Sequence, residues 1–438
     1  MRQTLIFIPH FLFEGPLLIA WLIIGALILA VSYYRNGNTS ETWSFLLIYG
    51  VIALVLAFVI PNLEIEGINP ADPTGEHIKQ GLAIRGYGIF LLLAITCGVG
   101  LGLLRCKHIG LTTDQCISLS FWMMVAGIFG ARLFYVIQKQ DDFFVQGMSI
   151  KELVIAMADM TKGGLVVYGS LFGGVIAAFI FLKTHGLPIA KTADLLAPGM
   201  VLGLAIGRIG CLMNGCCYGG VCDAPLPSIT FPAGSAPYMQ QLTQGDLLGI
   251  NASPIESEKD EYPEFPLLVE SVQSGSKAEQ LGIKPGDKIA IQTPGDLYIR
   301  FRKSNPDIVP SDGKEFVSYI VSDRQQQLPI TMDELPARSL NTYPTQIYSS
   351  INAGLLCLVL WFYWTIRKSD GEVFGLMLIF YSIGRFLMEL IRQDEAGQFG
   401  TQFTISQWVS FATIVAGITV FAYARTLGAK SNQSPSLA

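Results

Sequence analysis

Arg208, Arg385 and Arg392 stand in stretches that are otherwise apolar, where arginine is costly and usually functional. A guanidinium offers a planar fork of donors that matches a phosphate, so arginines in such surroundings point to an anionic lipid headgroup. Arg385, Glu389 and Arg392 are spaced i, i+4, i+7 and share one helical face. Tyr87, Arg132, Tyr168, Tyr381, Asn214 and Gln407 place further hydroxyl, guanidinium and amide groups near the ends of similar stretches. For any one of them, snorkelling or structural ion pairing is an equal alternative. Their gathering in one half of the apolar segments favours a polar cavity that holds a phosphate-bearing lipid.

The elements that must position these groups are membrane helices. The chain has 438 residues, 51% hydrophobic and 14% charged, with a mean hydropathy of +0.46. Soluble domains average about 25% charged residues. The net charge of -5 excludes a generally basic nucleic-acid surface. About 20 apolar residues are needed per crossing, and nine segments qualify: 15–34, 43–60, 86–104, 116–137, 163–183, 193–213, 346–367, 373–392 and 405–424. Pro9 and Glu14 interrupt the first apolar run and no A-x-A site follows, so this run reads as a retained helix rather than a signal peptide.

Loop charges give an orientation. One set of loops carries Arg35, then Arg105 and Lys107, Lys183 and Lys191, Arg367 and Lys368, and Arg425 and Lys430. The other set carries Glu64, Glu66, Asp72 and Glu76, then Asp141, Asp142, Glu152 and Asp159, then Asp394 and Glu395. The positive-inside rule puts the first set in the cytoplasm, and with it the C-terminus. The N-terminus and residues 214–345 are then expected outside. The expected fold class is an all-α polytopic membrane protein of about nine helices, with a small β-rich domain inserted in the long outer region.

That insert contains FPLLVESVQSGSKAEQLGIKPGDKIAIQ, then KEFVSYIVS and LPITM, read as short strands with one short helix and a KPGD turn. The run resembles a PDZ domain, and PDZ domains bind peptides by strand addition; a spacer with no ligand is the alternative. Cys211, Cys216, Cys217 and Cys222 form C-x4-C-C-x4-C, without the paired spacing or the histidine that zinc sites favour. Structural thiols or a disulfide are the expectation there, with no metal and no cofactor.

Seven motifs together resemble the bacterial prolipoprotein diacylglyceryl transferase family. They are Arg85-Gly86-Tyr87-Gly88, Gly130-Ala131-Arg132, GGLVVYG at 163–169, and Asp194-Leu195-Leu196-Ala197-Pro198. They continue with GRIGCLMNGCCYG at 207–219, Tyr343-Pro344-Thr345-Gln346-Ile347-Tyr348, and YSIGRFLMELIRQ at 381–393 with Ile405-Ser406-Gln407. The match covers roughly 82–255 and 335–425. It divides the chain into two extra N-terminal helices and a linker at 1–81, a first transferase part at 82–255, the PDZ-like insert at 256–335, and the last three helices and tail at 336–438.

The resemblance implies transfer of diacylglycerol from phosphatidylglycerol to the lipobox cysteine of a preprolipoprotein signal peptide, with release of glycerol phosphate, at a bacterial inner (cytoplasmic) membrane. Carried over by position, it makes Arg208, Arg385, Tyr168 and Glu389 the catalytic set, with Glu389 orienting Arg385. Tyr87, Arg132, Asn214, Gly219, Tyr381, Arg392 and Gln407 become lipid-binding. Asp194, at a helix start, reads as a cap of its own helix. The chain departs from the family pattern at Tyr168 and Tyr343, where histidines are common, and at Cys211 and Cys216, which replace an asparagine and an acidic residue. Tyrosine has a reference pKa of about 10, a poor match to a general base.

Rival readings are weaker. No HExxH string supports a zinc protease. His10, His77, His108 and His185 fall in loops or outside the expected cavity, which argues against an intramembrane serine protease. A lipid-binding scaffold with a peptide-binding PDZ domain is the alternative.

Overall fold

The computed structural model of the protein describes residues 4–9, 16–36, 49, 50, 53, 65–68, 77–143, 149, 151, 153, 156, 157, 164–222, 227–255, 267–292, 316–321, 326–331, 334–392 and 400–433. Most of the segment expected at 43–60 lies outside these residues, as do Glu64, Asp72, Glu76, Glu152, Asp159, Asp394 and Glu395.

The first elements in chain order are β1 (Thr4–Pro9), α1 (Pro16–Asn36), β2 (Ile65–Ile68), β3 (His77–Arg85), α2 (Gly86–Leu103), α3 (Thr113–Gln138), α4 (Val167–Thr184) and α5 (Ile189–Asn214). There follow α6 (Ala236–Gln244), the strands β4 (Ile250–Pro254), β5 (Leu267–Val272), β6 (Lys288–Gln292), β7 (Phe316–Val321) and β8 (Gln326–Thr331), and the helices α7 (Thr345–Ile366), α8 (Glu372–Glu389) and α9 (Ile405–Gln433). Among the described residues, six helices are long and apolar enough to cross a membrane: α2, α3, α4, α5, α7 and residues 405–426 of α9. They expose large apolar side chains such as Leu92, Phe129 and Phe362, as a lipid-facing surface does. The 18-residue α8 is not among the six; it carries Glu372, Arg385 and Glu389.

The chain divides into two compact units. One comprises Arg2–Gly210, Ala353–Phe380 and Val415–Ala438, and the other Cys211–Asn352 and Tyr381–Ile414. In the first, β1, β3 and β2 form an antiparallel sheet in that order, pairing Ile8 with Leu82 and Gly67 with Ile78. From sequence, only a linker is expected in the stretch up to residue 81. β3 runs straight into α2, so Tyr87 starts a helix that a strand delivers.

Glycines set the helix spacing in this unit. A Cβ on Gly98 of α2 would lie 2.8 Å from the Gly199 carbonyl oxygen of α5, and one on Gly130 of α3 would lie 3.2 Å from Gly173 Cα of α4. With no hydrophobic drive between helices in lipid, small residues permit the close packing that holds them. Gly130 and Gly169 belong to motifs that the resemblance singled out, and their first job is this contact. α3 begins with a capping box: Thr112 Oγ1 accepts from Gln115 N at 3.2 Å and Gln115 Oε1 accepts from Thr112 N at 2.9 Å.

Asp194 corrects an expectation. It lies in the second turn of α5 and does not cap its own helix. It is fully buried and accepts from Gly371 N and Phe374 N, both at 2.8 Å, so it caps the start of α8. Arg367 supplies its counter-charge at 3.6 Å and stacks on Trp364. Removing a cap and a buried charged acceptor together should destabilise by about 2 kcal/mol or more. Asp194→Ala is therefore expected to lower the unfolding temperature of the detergent-solubilised chain clearly more than Asp194→Asn, which keeps an acceptor. Equal temperatures for the two variants would contradict this role.

The second unit contains the five-stranded antiparallel sheet, in the order β4-β5-β6-β7-β8. Its core joins Val269, Ala278, Ile283, Ile289 and Ile330 to Tyr238, Leu242, Leu247, Leu248 and Ile250. Residues 236–254, which the sequence reading assigned to the transferase part, thus share a core with the insert expected at 256–335. Residues 256–266 and 293–315 of that insert lie outside the described residues.

Candidate active site

In the second unit, Tyr381, Arg385 and Glu389 recur every fourth residue and form one stripe on α8. Arg385 Nη1 is ion-paired to Glu389 Oε2, and Nη2 donates to Ser406 Oγ at 2.8 Å. Glu389 Oε1 accepts from Thr404 Oγ1 at 3.1 Å. Both oxygens of this buried carboxylate are therefore engaged, one by Arg385 and one by Thr404. Arg385 keeps 17% of its side chain exposed, and its planar fork is fixed from two sides. Thr404 and Ser406 were missed in the sequence reading as partners in this cluster.

Gln407 exchanges hydrogen bonds with Thr404. Its Oε1 accepts from Thr404 N at 3.0 Å and its own N–H donates to Thr404 Oγ1 at 3.3 Å. That is a capping box for α9, and Gln407 is only 4% exposed. Arg392 is half-buried and closes the turn after α8 with its backbone N–H on Glu389 O at 3.2 Å.

Gly219 is a packing position. A Cβ there would lie 2.6 Å from Tyr343 Cβ and 2.9 Å from Tyr343 O. The chain pairs across this contact: Gly219 N donates to Tyr343 O at 3.1 Å, Tyr343 N to Gly220 O at 3.1 Å, and Gly220 N to Ile391 O at 3.1 Å. The Cys216–Cys217 turn is pinned from α7, with Thr345 Oγ1 on Cys217 O at 2.7 Å and Gln346 Nε2 on Cys216 O at 2.8 Å. Asn214 ends α5, and the Cys216 thiol donates to Cys211 O at 3.7 Å.

In the first unit, Arg208 lies half-buried on α5 and makes no hydrogen bond or ion pair with any described residue. Tyr87 packs beside Gly210, whose Cβ position is 3.3 Å from Tyr87 Cδ2. Arg208 is two residues earlier, about 200° around the helix, so it does not share the Gly210 face. Tyr168 is half-buried in the first turn of α4, and its hydroxyl has no partner among the described residues. Arg132 behaves differently. It is 7% exposed and donates to three carbonyls: Met157 O at 2.8 Å, Ala156 O at 2.9 Å and Gly164 O at 3.1 Å. Its guanidinium also lies 5.2 Å from the Tyr135 ring and 5.5 Å from the Phe143 ring. These contacts give it a role in holding the chain before α4.

A family model described as prolipoprotein diacylglyceryl transferase matches residues 75–423. The chain belongs to that family. A phosphatidylglycerol–prolipoprotein diacylglyceryl transferase of Rhodopirellula baltica is 36% identical to it over 470 aligned residues, covering 99% of this chain and 92% of the relative. A relative of the same name from Clostridium tetani is 25% identical, covering 78% of this chain and 93% of its own length.

For a member of the prolipoprotein diacylglyceryl transferase family, the partnerless Tyr168 hydroxyl is the most ambiguous group. A tyrosyl hydroxyl at neutral pH donates a hydrogen bond more readily than it takes a proton. Tyr168→Phe is accordingly expected to slow transfer by at most about tenfold, the worth of one such bond, with the shape of the pH–rate profile unchanged. Loss of the limb on which the rate rises with pH would instead make Tyr168 the base.

Proposed function

We propose that this chain transfers the diacylglycerol group of phosphatidylglycerol to the lipobox cysteine thiol of prolipoproteins, forming a thioether and releasing glycerol phosphate. The observation that carries the reading is Arg208: a half-buried guanidinium on an apolar helix, within GRIG, with no partner among the described residues. A cation held in such surroundings without a counter-charge suits an anionic ligand. In this reaction the electrons of the breaking C–O bond go to a phosphate oxygen, so a guanidinium paired with that phosphate stabilises the departing group more than the bound lipid.

Arg208 is assigned to the lipid phosphate, and Arg385, locked by Glu389 and Ser406, to the charge that develops as the bond breaks. Tyr168 donates to the same phosphate. Tyr87, Asn214, Tyr381 and Arg392 are each assigned to lipid contacts. The structural contacts of Arg132, Gly219 and Gln407 favour supporting roles over the lipid contacts expected from sequence.

The wider frame is part of the proposal. The chain lies in a bacterial inner membrane with nine spans, the six apolar helices being joined by α1, the 43–60 segment and α8. The loop charges favour an outer N-terminus and a cytoplasmic C-terminus. The insert resembles a PDZ domain, and β4 and β8 are the sheet edges at which an extended peptide can add. Deleting 236–335, the whole span that shares the sheet's core, is expected to slow transfer to full-length prolipoproteins while sparing short lipobox peptides; equal slowing of both would argue against substrate capture.

The direct test is purified protein in vesicles of phosphatidylglycerol with a lipobox peptide, analysed by mass spectrometry. A diacylglyceryl mass increment on the cysteine peptide and none on its serine analogue is expected. No increment on either would overturn the proposal.

A further inference from the structure

The sulfurs of Cys211, Cys216 and Cys217 all lie within 4.8 Å of one another. None of the eight cysteines is joined in a disulfide. The sequence spacing hid this cluster. Cys211 is in the last turn of α5, and Gly215 (φ 74°) then folds the chain back so that Cys216 returns onto the helix end, its N–H on Cys211 O at 3.1 Å. Cys217 follows at φ 58°, the one left-handed non-glycine residue among those described. A β-carbon in that region costs on the order of 1 kcal/mol and persists where its surroundings over-determine it. Here Thr345 and Gln346 do so, gripping the Cys217 and Cys216 carbonyls.

We propose that these three sulfurs bind a thiophilic d10 cation, Zn2+, leaving one coordination position open for the acceptor thiol of the transfer reaction. The Zn–S distance of about 2.3 Å sets tetrahedral S···S separations near 3.8 Å, so the cluster needs to contract by no more than about 1 Å. Three protein ligands with an open fourth position are the pattern of catalytic rather than structural zinc. The surroundings are built accordingly. The Cys216 thiol is turned back onto the helix end, donating to Cys211 O at 3.7 Å. Gln346 is 1% exposed; it uses its amide N–H on Cys216 O and leaves Oε1 with no hydrogen-bond partner among the described residues. That orphaned acceptor beside the cluster suits a water or a substrate N–H.

The role rests on the transferase reading and fills a gap in it. The acceptor must react as a thiolate, while a free thiol has a pKa near ~8.5. At the two positions where the family resemblance implies histidine, this chain has Tyr168 and Tyr343. A thiol coordinated to zinc is deprotonated outright. The acceptor R–SH binds at the open position and its proton passes to water. The sulfur electron pair then forms the new S–C bond to the glyceryl carbon, the C–O bond breaks, and its electrons leave on the phosphate oxygen of glycerol phosphate. The thioether product is a weak zinc ligand and dissociates, which frees the position.

The test loads the full chain, purified in detergent under reductant and stripped by chelator, with Zn2+ or Co2+. One metal per chain, retained through desalting, is expected, and Cys216→Ser is expected to weaken binding at least tenfold. A lipobox cysteine peptide should raise the thiolate-to-cobalt absorption by about a third, from three sulfur ligands to four; its serine analogue should leave the spectrum unchanged. Transfer by stripped protein should fall at least tenfold and return with Zn2+. No retained metal, a disulfide between Cys211 and Cys216 or Cys217 in protein purified without reductant, or a cobalt spectrum indifferent to the peptide would each overturn the proposal. Metal-loaded protein that takes up the peptide thiol yet transfers nothing would instead contradict the transferase reading.

Discussion

Arg208→Ala is expected to lower diacylglyceryl transfer by about two to three orders of magnitude, the usual cost of removing one donor aimed at developing charge. The effect should fall on the rate more than on folding. Arg208 holds no described residue in place, so truncation leaves no buried partner without its counter-charge, and the unfolding temperature should stay close to that of the parent. Arg208→Lys is the informative control. It keeps the charge and loses the planar fork, so it should recover part of the rate and leave transfer well below the parent. Full activity in Arg208→Lys would mean that a point charge suffices, and full activity in Arg208→Ala would remove the phosphate role altogether.

Arg385→Ala is expected to fail in two ways at once. It deletes a cation assigned to the reaction, and it strands Glu389, whose side chain is 2% exposed. Breaking a buried ion pair from one side costs about 3–5 kcal/mol, partly offset here by the Thr404 hydroxyl. The single variant should therefore lose both stability and transfer. Arg385→Ala combined with Glu389→Gln removes the stranded charge. It should recover most of the stability, read as unfolding temperature in detergent, and none of the transfer. If rate returned together with stability, Arg385 would be a scaffold residue only. Glu389→Gln alone keeps the shape of the contact and frees Arg385 from its lock, so it is expected to slow transfer moderately, with a larger fall in kcat than rise in KM.

What was legible in the chain was local. The i, i+4 spacing of Arg385 and Glu389 foretold their pairing, because helix geometry alone brings such residues together. Apolar length located α1 to α5, α7 and α8 to within four residues, and the start of α9, which runs on to Gln433, nine residues past the expected end. The Thr404-x-x-Gln407 signature was also legible, as the capping box it is, but Gln407 was read for its motif rather than its spacing. What escaped was decided by tertiary contact. Asp194 caps a helix that begins 178 residues later in the chain, at Glu372. Arg132 takes its carbonyl partners from residues 24 to 32 positions away. The three sulfurs meet because Gly215 and Cys217 adopt left-handed backbone, and a glycine followed by two cysteines does not announce that geometry. In the insert, alternating runs marked β5 to β8, whereas α6 and β4 were too short and too weakly patterned to separate from the segment before them.

The central claim is that a lipid phosphate ester is exchanged for a thioether in a single transfer, and stoichiometry tests it most directly. Purified protein is given phosphatidylglycerol labelled in the headgroup glycerol together with a lipobox cysteine peptide, and both products are counted over time. One glycerol phosphate released for each thioether formed, with no release when the peptide carries serine, is the predicted result. Release without thioether, or no release at all from protein that remains folded, would contradict it.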